Sequence, residues 1–183
     1  MTPQRYPMAP LIRITLISLY LALVLPLPLL APPALQTLLW SALPLGLVLV
    51  LALVSEQVEL TESGIRVGHP RWCSWLIRRG WELSWDQITG LTPVSTSQGG
   101  RVYYVRSGDG SAYLLPQRVQ AFGDFLSRFG QTTGIDTSSI GRISPPWTYQ
   151  LLAGLCTAML LFEGLFAWAL ISGRWEIPSA PLG

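Results

Sequence analysis

ITLISLYLALVLPLPLLAPPALQTLLWSALPLGLVLVLALV, residues Ile14 to Val54, is 41 residues long and contains no Asp, Glu, Lys, Arg or His. A membrane-crossing helix needs about 20 apolar residues, so this run has room for two. Pro32-Pro33 falls near its middle, where two consecutive imino acids remove two backbone donors and push the preceding residue out of the helical region. The run therefore reads as a helical hairpin: Leu11–Leu30, a tight turn at Ala31–Ala34, then Leu35–Val54. Pro26, Pro28 and Pro44 should loosen or kink the two helices, which membrane helices tolerate. Arg5 and Arg13 ahead of an apolar stretch also look like a secretory signal. The stretch is longer than the ~7–15 residues of a signal core, however, and prolines crowd the candidate cleavage site.

Beyond the hairpin the charges are unevenly placed. Nine of the twelve arginines and eight of the ten acids fall between Ser55 and Pro145. A third apolar stretch, residues 146–172, is interrupted only by Glu163. Trp147, Tyr149, Trp168 and Trp175 stand near its ends, as interfacial aromatics do. The expected organisation is an N-terminal tail (1–10), a transmembrane hairpin (11–54), a domain (55–138), a linker (139–145), a third span (146–172) and a C-terminal tail (173–183). Arg5 and Arg13 at the N-terminus, against no arginine in the hairpin turn, put the N-terminus and the domain in the cytoplasm. The plasma membrane or a thylakoid membrane would suit.

Composition narrows the function. Only 12% of the 183 residues are charged, against about 25% in an average soluble domain. A secreted mini-protein, a disordered tail and a nucleic-acid module are disfavoured, and a net charge of +2 is too small to attract a polyanion. There is no lysine, so lysine catalysis is excluded. One histidine and two cysteines cannot build a structural zinc site, and no metal or cofactor is expected. Cys73 would lie in a reducing compartment and Cys156 in lipid, so they should not pair.

The segment 55–138 alternates as strands do. Val58 and Leu60 precede the turn Glu62-Ser63-Gly64, and Ile65 and Val67 follow with period two. Leu83 and Trp85, then Ile88 and Leu91, continue the pattern, and Arg101–Arg106 is β-branched and aromatic. Gly108-Asp109-Gly110 turns the chain into Ala112–Leu115. Val119, Phe122, Phe125, Leu126 and Phe129 then form an apolar stripe at helical spacing, with Gly130 as its expected cap. About six short antiparallel strands and one closing helix are expected.

At these residues the sequence resembles a known family. VELTESGIRV, ELSWDQITGL, VYYV and DGSAYLLPQRV with a closing helix look like the bacterial PH-like domain of small membrane-anchored proteins. The resemblance covers roughly residues 56–135 and implies an antiparallel β-sheet domain closed by a C-terminal helix, made for interaction more than catalysis. The layout is also similar, more weakly, to the photosystem I assembly protein of cyanobacteria and chloroplasts, through Gly64-Ile65, Trp72–Trp75 and Asp86-Gln87-Ile88; the third span departs from that pattern. The lysine-free style rich in Trp, Gln and Pro suggests a cyanobacterial source.

Two places stand out as candidate sites. Arg66, Arg71, Arg78 and Arg79 surround Trp72 and Trp75, a combination suited to the headgroup region of a membrane or to a partner's membrane-proximal face. The alternative is a β-hairpin whose tryptophans fill the domain's own core. A phosphoinositide pocket of the eukaryotic PH type would need a basic first loop, and Thr61-Glu62-Ser63-Gly64 is acidic. Glu163 is the second place, since a carboxylate inside a span calls for a partner or a proton. Helix counting sets it beside Ser41 and Trp40; a partner subunit, a pigment or a transport role are the other readings. Gly154 and Ala158 make a small-xxx-small pair for helix packing, within the chain or with a partner. His69 reads as a surface histidine, Asp109-Gly110 as a turn, and Gly99-Gly100 lacks the rest of a phosphate loop. No catalytic residue is identified.

The expected protein is an integral membrane protein with three transmembrane helices and a PH-like domain. It would serve as a non-catalytic adaptor or assembly factor that contacts membrane lipids and a membrane-protein complex. A photosystem assembly factor is the nearest alternative, and an oligomeric transporter or channel component comes after it.

Overall fold

The computed structural model describes residues 3–77, 80–97, 99–141 and 145–172. The chain enters its folded domain at once. Residues 1–10 were expected as a tail, but β1 (Gln4–Pro7) pairs antiparallel with β2 (Gln57–Leu60), setting Tyr6 opposite Val58 and Pro7 opposite Gln57. A four-residue strand whose partner lies some fifty residues away carries too little local pattern to be read beforehand.

Between those strands lie α1 (Pro10–Val24), the short α2 (Pro26–Leu30) and α3 (Pro33–Leu53). Pro26 has no N–H to give the preceding turn, and the first apolar helical segment divides there into α1 and α2. Pro44 sits inside α3 without ending it. The hairpin is closed by Tyr20, whose hydroxyl donates to Leu43 O at 2.6 Å; Gly46 leaves room for the ring, because a Cβ there would overlap the phenol.

β2, β3 (Gly64–Gly68) and β4 (Trp81–Ser84) extend β1 into a four-stranded antiparallel sheet of order β1-β2-β3-β4. One turn of 3-10 helix at Trp85–Gln87, held by a Ser84–Gln87 capping box, leads into β5 (Ile88–Ser95). With β6 (Arg101–Ser107) and β7 (Ala112–Leu114), β5 makes a second, three-stranded sheet. The six strands expected after Ser55 are thus β2 to β7, and β1 is the seventh.

The core fills between the sheets and α4 (Phe122–Thr133). Tyr6, Val58, Ile65, Val67, Leu83, Tyr103 and Val105 face inward, and the helical stripe of Phe122, Phe125, Leu126 and Phe129 is buried against them. The rings of Phe125 and Phe129 are 6.2 Å apart, and the Trp85 ring meets Phe129 edge-on at 6.1 Å. The helix runs past the expected cap at Gly130. It ends at Gly134, whose φ of 70° is the left-handed conformation that closes a helix without a Cβ penalty. Residues 139–141, expected in a linker, are tied to the domain: Tyr103 Oη donates to Ser139 O, and Gln117 Nε2 to Gly141 O.

The last described element, α5 (Pro146–Ile171), packs along α1. Among the described residues, three segments are long and apolar enough to cross a membrane: α1 with α2, α3, and residues 147–171 of α5.

Candidate membrane interface

Strand register decides which end of the domain adjoins the apolar helices. β1 ends at Pro7 just before α1 begins at Pro10, and β2 begins at Gln57 just after α3 ends at Leu53. Pro7 is opposite Gln57, and Gln57 is opposite Gly68. The loop that follows Gly68 therefore leaves the sheet at the edge where both helices enter it. Backbone bonds fasten this corner to the rest of the domain: Ala9 N donates to Arg118 O, and Gln120 N to Pro7 O.

In that loop Pro70–Ile77 winds into two helical turns, with Ser74 N donating to Pro70 O and Ile77 N to Cys73 O. Cys73 points inward and is 1% exposed. Trp72, Trp75 and Leu76, at the i, i+3 and i+4 spacing that shares one helix face, point outward and are 52%, 79% and 44% exposed. The reading of these tryptophans as core is therefore wrong: the core is already filled by the phenylalanines of α4. Trp75 Nε1 donates to Trp72 O at 3.0 Å, which fixes the indole over the turn.

Beside the turn, the outer face of the four-stranded sheet carries a ladder of alternating charge. Arg5, Glu59, Arg66 and Glu82 are consecutive cross-strand neighbours. Arg5 Nε lies 2.9 Å from Glu59 Oε1, and Arg66 Nε lies 3.9 Å from Glu82 Oε2. Such exposed pairs are worth about 0–1 kcal/mol and set register and local charge more than stability. The ladder forms the floor of a groove of about 960 Å³, with His69, Arg71 and Ser74 on its wall. Arg71 forms no ion pair among the described residues. His69 is partly buried, and its Nδ1 is enclosed with no hydrogen-bond partner among the described residues. Arg78 and Arg79 lie outside the described residues.

The other expected site is arranged differently. Glu163 does not meet Ser41 or Trp40: Ser41 Oγ donates to Leu38 O of its own helix, and Trp40 is about half exposed. Glu163 Oε2 is buried with no hydrogen-bond partner among the described residues. The reason is helix offset. Thr15 Oγ1 lies 3.4 Å from Tyr149 O, and the nearly inaccessible Ala22 and Cys156 follow seven residues later on their respective helices. At about 1.5 Å per residue, Glu163 sits about 21 Å beyond Tyr149, level with α2 and the hairpin turn and deeper than Ser41. Gly154 and Ala158 are exposed on α5, and a Cβ added at Gly154 would meet open space, so α1 does not use this pair.

One cluster went unread. Tyr6 Oη donates to Asp124 Oδ2 at 2.6 Å, and Arg128 Nε donates to the same oxygen at 2.9 Å, joining β1 to α4. Burial, then the carboxylate beside it, pushes the Tyr6 hydroxyl up to about 12. The Tyr6 hydroxyl and then Arg128 hold Asp124 below the usual carboxylate range. Asp124 and Arg128 stand at i and i+4 on α4, a visible signal, but nothing local points to Tyr6.

The chain is similar to the uncharacterized protein slr0269 of the cyanobacterium Synechocystis, with 44% identity over 179 residues that cover 94% of this chain and 88% of that protein. No protein-family model matches the chain, and no solved structure matches it significantly.

Proposed function

We infer that this chain, which belongs to the same family as the Synechocystis protein, is a non-catalytic membrane-anchored adaptor or assembly factor whose β domain is held against the bilayer surface. The observation that carries this reading is the register of the four-stranded sheet. It brings both hairpin helices and the exposed Trp72–Trp75–Leu76 face to one edge, so the spans and the tryptophan turn share an end. An indole there has its ring at headgroup depth and its N–H in the polar layer, the placement tryptophan favours at membrane surfaces.

The β domain is PH-like in this reading. Support comes from a four-stranded and a three-stranded antiparallel sheet closed by α4, with the hairpin inserted between the first two strands. Arg5 and Arg13 at the end that bears the domain, against no arginine in the hairpin turn, favour the cytoplasmic side. The groups this end displays are indoles, aliphatic side chains and guanidiniums, which bind surfaces. On α5 the exposed Gly154 and Ala158 offer a close-approach face to another protein's helix. A cyanobacterial relative favours a photosystem complex as the client, with Glu163 in contact with a partner subunit or a pigment.

Gentle detergent extraction of the tagged full chain from a cyanobacterial membrane tests this. A membrane-protein complex should co-purify in stoichiometric amount, and Gly154→Leu should weaken its retention. A homo-oligomer that conducts ions in liposomes and retains no partner would overturn the adaptor reading.

A further inference from the structure

We propose that the groove between the Pro70–Ile77 turn and the charge ladder binds the anionic headgroup of a membrane phospholipid, with Arg71 as its main ligand. The proposal rests on the reading that the end carrying Pro70–Ile77 faces the membrane.

Three features point to an anion. Within the groove Arg5 and Arg66 have carboxylate partners in Glu59 and Glu82, whereas Arg71 has none among the described residues, which leaves one guanidinium in excess in the groove lining. A guanidinium presents a planar fork of donors that matches phosphate oxygens. His69, on the same wall, has an enclosed Nδ1 that no group among the described residues satisfies. The volume of about 960 Å³ lies within the ~300–1,000 Å³ of small-molecule sites.

Position points to a lipid as the anion's source. Arg71 and Ser74 line the groove, while Trp72, Trp75 and Leu76 of the same two turns are turned outward. One short turn thus offers a cation to the groove and an apolar face beside it. A phospholipid has this division, with its phosphate at headgroup depth and its chains alongside. Because Gln57 is opposite Gly68, the groove wall begins about one strand residue from where α3 hands over to the sheet. A lipid in the outer shell of α3 could place its phosphate there without leaving the bilayer.

The test uses the full-length protein in mild detergent, titrated with phosphatidylglycerol or phosphatidylcholine and read by native mass spectrometry. Phosphatidylglycerol should be retained about fivefold better, the discrimination expected of one surface guanidinium. Arg71→Ala should bring the ratio near one, and Glu82→Gln, which removes an acid from the groove and releases Arg66, should raise it. Arg101→Ala, on the second sheet, should leave it unchanged. The gain in Glu82→Gln is an effect that misfolding cannot imitate.

Equal retention of the two lipids, or an Arg71→Ala variant that keeps its selectivity, overturns the proposal. Displacement of phosphatidylglycerol by millimolar inorganic phosphate would assign the groove to a free anion and overturn it too. Membrane contact is measured separately, as the fluorescence quenching by brominated lipid that Trp72→Phe/Trp75→Phe removes. No such quenching sinks the membrane-facing reading and the proposal together. Quenching with equal lipid retention sinks the proposal alone.

Discussion

Two connections in the four-stranded sheet join consecutive strands and share almost nothing else. Thr61–Ser63, between β2 and β3, is a three-residue polar turn. Thr61 Oγ1 accepts from Gly64 N, and Thr61 O accepts from Trp85 Nε1. Residues 69–80, between β3 and β4, are four times as long and put two tryptophans and a leucine into the open. Strand lengths do not require this difference, since β3 and β4 pair over four residues, as β2 and β3 do. What differs is the surroundings: the short turn is at the end away from the apolar helices, and the long one is at the end where they enter. In the proposed reading, the polar turn serves folding and the long loop serves contact.

If that division holds, substitutions near the short turn should cost stability, and substitutions on the long loop should cost membrane contact. Trp85→Ala should have the largest effect. It removes the edge contact with Phe129 and the indole bond to Thr61 O, for a loss of about 3 kcal/mol in denaturant unfolding of the β domain. Lipid quenching of Trp72 and Trp75 should persist wherever the variant is folded. A variant as stable as the parent would break the comparison at its folded end.

Next in size is a pH effect at the join between β1 and α4, which keeps both ends of the sheet in one domain. Asp124 has a depressed folded pKa, so its stabilisation is present above the ordinary carboxylate range and is lost as pH falls through the folded value. Tyr6 is raised to about 12, so its stabilisation is complete below about pH 10 and is lost between about 10 and 12. The melting temperature of the β domain should therefore be flat across neutral pH and fall on both sides. Asp124→Asn should lower the plateau and flatten the acid limb; an unchanged acid limb would remove Asp124 as its cause. A smaller effect, of opposite sign, is expected at Ala121, which starts α4 with φ of 50°, a conformation that costs an L-residue about 1 kcal/mol. Ala121→Gly should raise stability by somewhat less than that, because glycine loses more chain entropy on folding.

These contrasts also separate what the sequence reveals from what it hides. The hairpin is legible because a 41-residue uncharged run with tandem prolines is a local statement. So is α4, whose Phe122, Phe125 and Phe129 repeat at helical spacing and are all buried. The strand β1 is not legible, because Tyr6 acquires its meaning only from Val58 and Asp124, which the hairpin and most of the domain separate from it. Glu163 was misplaced for a related reason. Counting along a helix gives position within that helix, but the offset of α5 against α1 is set by their packing, which puts Thr15 Oγ1 3.4 Å from Tyr149 O. The charge ladder was hidden too. Arg5, Glu59, Arg66 and Glu82 are ordinary charges until strand register lines them up.

The sharpest form of the comparison is the smallest stability effect. Trp75 is 79% exposed and, among the described residues, its indole bonds only within its own turn, so Trp75→Ala should change unfolding free energy by less than about 0.5 kcal/mol. A large aromatic side chain that contributes so little to folding has to be explained by what lies outside the chain. Burying an indole at a membrane surface removes apolar area from water at about 25 cal/mol per Å², a gain the isolated domain cannot make for itself. The paired measurement is unfolding of Trp75→Ala against the Trp75 fluorescence, taken as parent minus variant, that a water-soluble quencher fails to reach in liposomes. Unchanged unfolding with a protected Trp75 puts the value of that residue in the bilayer contact. If the variant unfolds as easily as Trp85→Ala does, the long loop belongs to the fold after all, and the two connections differ only in length.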